Sequence, residues 1–203
     1  MTDDICHYIS MLAELNSPSH YRKIFKGQWD YPAALTTWLE QSGYTELGSG
    51  IYSVVFGRPG DNIVIKVGHD RPENDPWVDY VEWIRTQAAN PHFPRVGKIR
   101  WYADKRGRKF YLVPIERLKH SSEANMYAER LRALDKWVRN GAKVKDLDNF
   151  LKRWRSWNKD FLKAYVALVR RFPDATVDLH SGNIMARGST MVLTDPLSFR
   201  DKR

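Results

Sequence analysis

Residues 44–67 constrain the fold more than any other stretch. Three short β-prone runs, 44–47, 52–56 and 63–67, are separated by a glycine pair at Gly48 and Gly50 and by the turn cluster Arg58-Pro59-Gly60-Asp61-Asn62. Strand formers alternating with turn formers at this spacing read as a hairpin or meander. The last run, Ile63-Val64-Ile65-Lys66-Val67, sets one cation in an apolar strand. A lysine there is costly to bury unless a charged partner meets it. Glu82, on the helix predicted to follow, is the first choice of partner, with Glu73 and Asp79 as rivals. The alternative is an edge-strand lysine whose head faces solvent.

Around this meander the pattern is mixed. Residues 4–15 and 32–42 have helical spacing of apolar positions, the second helix capped by Asp30 and stopped by Gly43. A helix is predicted over 76–89, ended by Asn90-Pro91, then strands over 96–102 and 109–114 around a basic turn. The second half reads as helical. One helix is predicted over 123–139. Another is predicted over 149–172, with Asp148 as its cap and Phe150, Trp154, Trp157, Phe161, Tyr165, Leu168 and Phe172 as its buried stripe. A hairpin closes the chain, with arms over 183–186 and 191–194 joined through Gly188.

Composition narrows the function classes. Apolar residues are 42% and aromatics 13% of 203 residues, as in a globular chain. No apolar run approaches the roughly 20 residues of a membrane helix. The acidic start Met1-Thr2-Asp3-Asp4 is unlike a secretory or transit segment. Cys6 is the only cysteine, so no internal disulfide is expected, and a reducing cytoplasm fits. The net charge is +9, concentrated between Arg117 and Arg171. That surface is either a solvated basic face or an attractor of ATP, nucleic acid or an acidic protein.

Five features in order point to phosphoryl transfer. Leu47-Gly48-Ser49-Gly50-Ile51-Tyr52-Ser53-Val54-Val55 is a strand-turn-strand glycine loop, where the absence of Cβ lets backbone approach phosphate oxygens. The protein-kinase form is G-x-G-x-x-G, and here Ser53 takes the third glycine's place. Lys66 and Glu82 supply the strand lysine and helix glutamate that grip phosphates. Asp178-Leu179-His180-Ser181-Gly182-Asn183 sets an aspartate five residues before an asparagine, the spacing of a loop in which Asp accepts a hydroxyl proton and Asn binds metal. Asp195 follows a β-prone run and is placed to hold Mg2+. His180 lacks a second His or Cys at ligand spacing, so a local structural role is expected for it rather than zinc binding.

These segments also resemble the early-gene serine/threonine protein kinase family of Teseptimavirus-type podophages. The resemblance rests on residues 47–50, Val64-Ile65-Lys66-Val67-Gly68, Asp178 to Met185, and Thr194-Asp195-Pro196-Leu197-Ser198-Phe199. It covers roughly residues 30–200 and corresponds to the kinase part of that family. It implies a phage protein, made early in infection, that phosphorylates host proteins on Ser or Thr in the host bacterial cytoplasm.

Departures from ordinary kinases are also visible. Thr176 and Val177 stand where eukaryotic kinases have His and Arg, and Asp195-Pro196-Leu197 replaces D-F-G. Only eight residues follow Asp195, so the usual activation segment is expected to be missing.

The expected fold is therefore α+β, a minimal two-lobed kinase-like fold. A helical extension over 1–43 precedes a small antiparallel sheet lobe over 44–116 and a reduced helical lobe over 117–203. Gly48, Ser49, Gly50 and Ser53 are expected to cover the ATP phosphates. Lys66, paired with Glu82, grips them; residues 114–116, ending at Glu116, meet adenine; Asn183 and Asp195 bind Mg2+; and Asp178 deprotonates the substrate. Ser198 is a candidate self-phosphorylation site. Two other readings stay open: a small-molecule phosphotransferase, and a catalytically weak kinase fold that binds a host protein or nucleic acid through its basic face.

Overall fold

The computed structural model describes Ile24 and residues 32–70, 75–87, 90–140 and 158–199. The helix predicted over 4–15, the cap Asp30, and Glu73 lie outside the described residues. The described chain runs α1 (Pro32–Gln41), β1 (Thr45–Ser49), β2 (Ser53–Gly57), β3 (Ile63–His69), α2 (Trp77–Thr86), β4 (Arg100–Ala103) and β5 (Lys109–Glu116). It continues with α3 (Ala124–Arg139), α4 (Lys159–Arg171), β6 (Ala175–Val177), β7 (Ile184–Arg187), β8 (Thr190–Leu193) and β9 (Leu197–Phe199). It is an α+β chain. No helix among the described residues is long and apolar enough to cross a membrane. It divides into two compact units, Met1–Arg71 with Arg95–Arg117, and Pro72–Pro94 with Leu118–Arg203.

The first unit is built on a five-stranded antiparallel sheet of order β1-β2-β3-β5-β4. The alternation of β3 divides its side chains between two faces. Ile63, Ile65 and Val67 join Phe56, Phe110 and Leu112 in a core closed by Leu35 and Leu39 of α1, with Tyr44 and Ile24. Val64, Lys66 and Gly68 lie on the other face. The strand predicted over 96–102 is interrupted: Val96 bridges to Ile115, and regular pairing resumes only at Arg100, opposite Leu112.

The basic turn between β4 and β5 is organised by one carboxylate. Asp104 accepts from the backbone N–H groups of Arg106 and Arg108 and from the Arg108 guanidinium, at 2.9, 2.8 and 2.6 Å. Burial acts to raise its pKa, but these donors outweigh that and hold it below the ordinary 3.8.

The second unit packs α3 and α4 with α2 and two small two-stranded sheets, β7-β8 and β6-β9. Helix α4 is shorter than expected. Asn158 is its N-cap, with an extended backbone and a side chain that accepts from Asp160 and Phe161 N–H groups. A single helix over 149–172 is therefore excluded, because an extended residue breaks it at 158. The stripe from Phe150 to Trp157 and the cap Asp148 lie outside the described residues. Phe161, Tyr165 and Leu168 of that stripe are fully buried, and Phe172 meets Trp83 edge-on at 5.7 Å.

Gly68 answers a spatial demand in the sheet. A Cβ there would stand 2.3 Å from the Tyr111 hydroxyl across the β3-β5 pair. Gly68→Ala is expected to lower stability by about 1–3 kcal/mol through overpacking. Urea denaturation measures it, and an unchanged midpoint would show that Tyr111 yields freely.

Candidate functional site

In the first unit, two predicted site residues share one row of the sheet. Gly48, Val55, Lys66 and Val113 are successive cross-strand partners on β1, β2, β3 and β5. Partners in register lie on the same face. Ser53 lies in the adjoining row, opposite Gly68. Ser49 pairs with Val54, which puts it on the opposite face. Lys66 is only 5% exposed. A primary ammonium kept this dry among valines requires compensation by charge or by hydrogen bonds.

The two loop glycines are not explained by the chain itself. Neither Gly48 nor Gly50 has a positive φ. A Cβ at Gly48 would meet nothing within 4 Å, and one at Gly50 only the Ser53 carbonyl at 4.0 Å. The turn is closed by the Gly50 N–H donating to Ser53 O at 2.8 Å, and Ile51 at its tip is 90% exposed. Space is therefore open at both glycines, and Gly48 lies two strands from the buried Lys66 in the same row.

Glu116 is buried and already engaged. Its carboxylate accepts from the Arg95 N–H at 2.8 Å, and its own N–H donates to Arg95 O at 3.0 Å. Pro114 O likewise accepts from the Gly97 N–H. The backbone groups expected to meet adenine are thus largely used within the first unit.

In the second unit, Glu82 is exposed on α2. Asp178, Asn183 and Asp195 lie in segments joined by backbone hydrogen bonds. Strand β6 pairs with β9, and directly beyond it the Asp178 N–H donates to Pro196 O at 2.9 Å. The Thr194 N–H donates to Asn183 O at 2.9 Å, and the Thr194 hydroxyl to Gly182 O at 3.3 Å. Asp195 therefore emerges between two residues tied to the 178–183 loop.

Within that loop the Asn183 amide nitrogen donates to the Asp178 backbone oxygen at 2.8 Å and to its carboxylate at 3.2 Å. This fixes the amide orientation and turns Oδ1 away from those bonds as a hard oxygen donor. Asp178 itself stays half-exposed. His180 Nδ1 accepts from the Gly182 N–H at 3.0 Å, so the neutral ring carries its proton on Nε2, 3.7 Å from the Asp178 carboxylate.

Strand β8, which leads into Asp195, is fastened by two side chains that belong to none of the sequence motifs. Tyr80 on α2 donates to Leu193 O at 2.5 Å. Burial first, and the Asp195 charge second, push its pKa well up. His92 donates from Nδ1 to Met191 O at 2.9 Å, and burial lowers its pKa. In sequence, Tyr80 sits on the apolar stripe of an amphipathic helix and carries no sign of this role.

Among the described residues no group of three or more His, Cys, Asp or Glu side chains could hold a metal ion. An amide oxygen and one carboxylate from adjoining backbone instead suit Mg2+, which usually takes one or two protein oxygens together with phosphates and water.

Residues 16–203 match the protein family described as Bacteriophage T7 protein kinase 0.7. No curated protein matches the chain.

Because Gly48 and Gly50 meet no internal constraint, Gly48→Ala and Gly50→Ala are expected to leave stability unchanged or to raise it by up to about 1 kcal/mol. Thermal melting measures it, and a clear loss of stability in either variant would make these glycines structural.

Proposed function

Since the chain belongs to the Bacteriophage T7 protein kinase 0.7 family, we propose that it transfers the γ-phosphoryl group of ATP to serine or threonine hydroxyls of host proteins, early in infection and in the host bacterial cytoplasm. The family indicates a phage protein kinase, and hence ATP use and protein substrates. The choice of hydroxyl, the host targets and the two-lobed kinase-like arrangement are the finer parts of the proposal.

The observation that carries it is the pairing of Asp178 N–H with Pro196 O and of Thr194 N–H with Asn183 O. These bonds tie the backbone of the 178–183 loop, with its half-exposed carboxylate and oriented amide, to that of residues 194–196 on either side of Asp195. In the proposed reaction, the substrate hydroxyl gives its proton to the Asp178 carboxylate as its oxygen attacks the γ-phosphorus. The bond from that phosphorus to the β-bridging oxygen breaks, and ADP leaves. Asn183 Oδ1 and Asp195 hold Mg2+, which when bound neutralises charge on the phosphate oxygens. Lys66, with Glu82 as its proposed partner, grips the phosphates, and Gly48, Ser49, Gly50 and Ser53 cover them. The openness at both glycines, and the buried ammonium in the row of Gly48, support that assignment. Adenine recognition at residues 114–116 would use backbone groups other than the Glu116 N–H and Pro114 O, which Arg95 and Gly97 already engage.

Ser198 is the proposed site of self-phosphorylation; its hydroxyl lies 2.8 Å from that of Thr176 within the β6-β9 pair, so modification would break that hydrogen bond.

The test is transfer of labelled γ-phosphate from ATP to a bacterial host lysate, followed by phosphoamino-acid analysis. Wild type is expected to give phosphoserine or phosphothreonine, and Asp178→Ala to lose roughly 10²- to 10⁴-fold in rate. Asp195→Ala is expected to be comparably impaired. Equal labelling by wild type and Asp195→Ala, or label on tyrosine alone, would overturn the reading.

A further inference from the structure

Helix α3 presents its buried residues Ala124, Ala128, Leu131 and Leu134 to the second unit's core. Beside that stripe, Arg132 and Arg139 are two turns apart and therefore lie on one side of the helix. Asp135 falls between them, one turn from each. The Arg132 guanidinium donates to the backbone oxygen of Leu179. Arg139 Nε lies 2.8 and 2.9 Å from the two Asp135 carboxylate oxygens. Its remaining nitrogens donate to Pro173 O at 2.9 Å and to Ala175 O at 2.8 Å. Pro173 and Ala175 precede Asp178, and Leu179 follows it.

From this we infer that Arg132 and Arg139 are positioning residues for phosphoryl transfer: side chains of one helix that fix the backbone on both sides of Asp178 and so set where its carboxylate stands. The inference rests on the kinase reading of Asp178. The physical reason lies in unpaired carbonyls. A short strand and an irregular loop leave backbone oxygens that regular pairing does not use, and such groups need donors. Guanidinium groups supply several donors in a rigid fork, so one side chain can hold two carbonyls at fixed separation while a carboxylate fixes the fork itself. Arg139 does this, with its side chain only 19% exposed and Asp135 15% exposed. Lysine would keep the charge but lose the planar fork. Neither arginine touches the reacting atoms in the proposed reaction, and each acts through Asp178.

A change that lets the loop drift is expected to reduce turnover and leave ATP binding nearly intact, since misplacement of about 1 Å at a reacting group lowers rates by up to roughly 100-fold. The experiment uses the full chain, γ-labelled ATP and dephosphorylated casein as acceptor. Arg132→Ala and Arg139→Lys are each expected to lower kcat about 10- to 100-fold while KM for ATP changes less than about twofold. Arg132 is exposed, so its variant should melt within a few degrees of wild type. Arg139→Lys stands in for an alanine variant that would risk unfolding. The decisive arm combines Arg132→Ala with Asp178→Ala. If Arg132 acts through Asp178, the double variant is no slower than Asp178→Ala alone. A double variant slower by the full Arg132→Ala factor would overturn the inference, as would wild-type kcat in both arginine variants while Asp178→Ala is inactive. Full activity of Asp178→Ala would instead overturn the kinase reading of Asp178, and this inference with it.

Discussion

Two backbone hydrogen bonds hold together everything proposed for the second unit. The Asp178 N–H meets Pro196 O, and the Thr194 N–H meets Asn183 O. Without them, the 178–183 loop and residues 194–196 would have no direct backbone link. The bonds extend two very short ladders, β6-β9 and β7-β8, that cannot stand alone. They persist because Ala175, Ile184, Val192, Leu193 and Leu197 are buried against the helices. Helix packing therefore precedes site geometry. Side chains from α2, α3 and the segment before Arg95 then fasten the backbone at Met191, Leu193, Ala175 and Leu179.

The first unit faces a different physical problem, that of keeping a lysine dry. Lys66 sits between Val55 and Val113 in the sheet while Ile65 and Val67 fill the opposite face. Strand alternation makes this arrangement available at no conformational cost, since adjacent residues always point apart. The same register places Gly48 at the end of the Lys66 row. Lys66 and the open backbone at Gly48 thus share one face of the sheet.

Much of this was legible in the sequence because it depends on local pattern. The meander over 44–67 follows from turn residues between β-formers, and β1, β2 and β3 match it to within two residues at each end. Helix α3 and the hairpin through Gly188, whose φ is 59°, follow for the same reason. The length of α4 was misread because apolar spacing continues through Asn158, while the cap that stops the helix depends on one side chain reaching back to two N–H groups. Strands β6 and β9 were invisible: three residues carry no period, and their pairing is set by tertiary packing. The roles of Arg132, Arg139 and Tyr80 were equally hidden, because helix arginines and tyrosines have the same local pattern whether they face solvent or a carbonyl. The engagement of Glu116 by the Arg95 backbone was hidden in the same way, since it depends on a contact between segments 21 residues apart.

The most direct measurement is paramagnetic broadening of backbone amide signals by Mn2+ in place of Mg2+, recorded with and without a non-hydrolysable ATP analogue. The expected result is analogue-dependent broadening centred on Asn183, Thr194 and Asp195. Broadening that spares Asn183 and Asp195, or that is the same without the analogue, would contradict a metal–triphosphate site built from these residues.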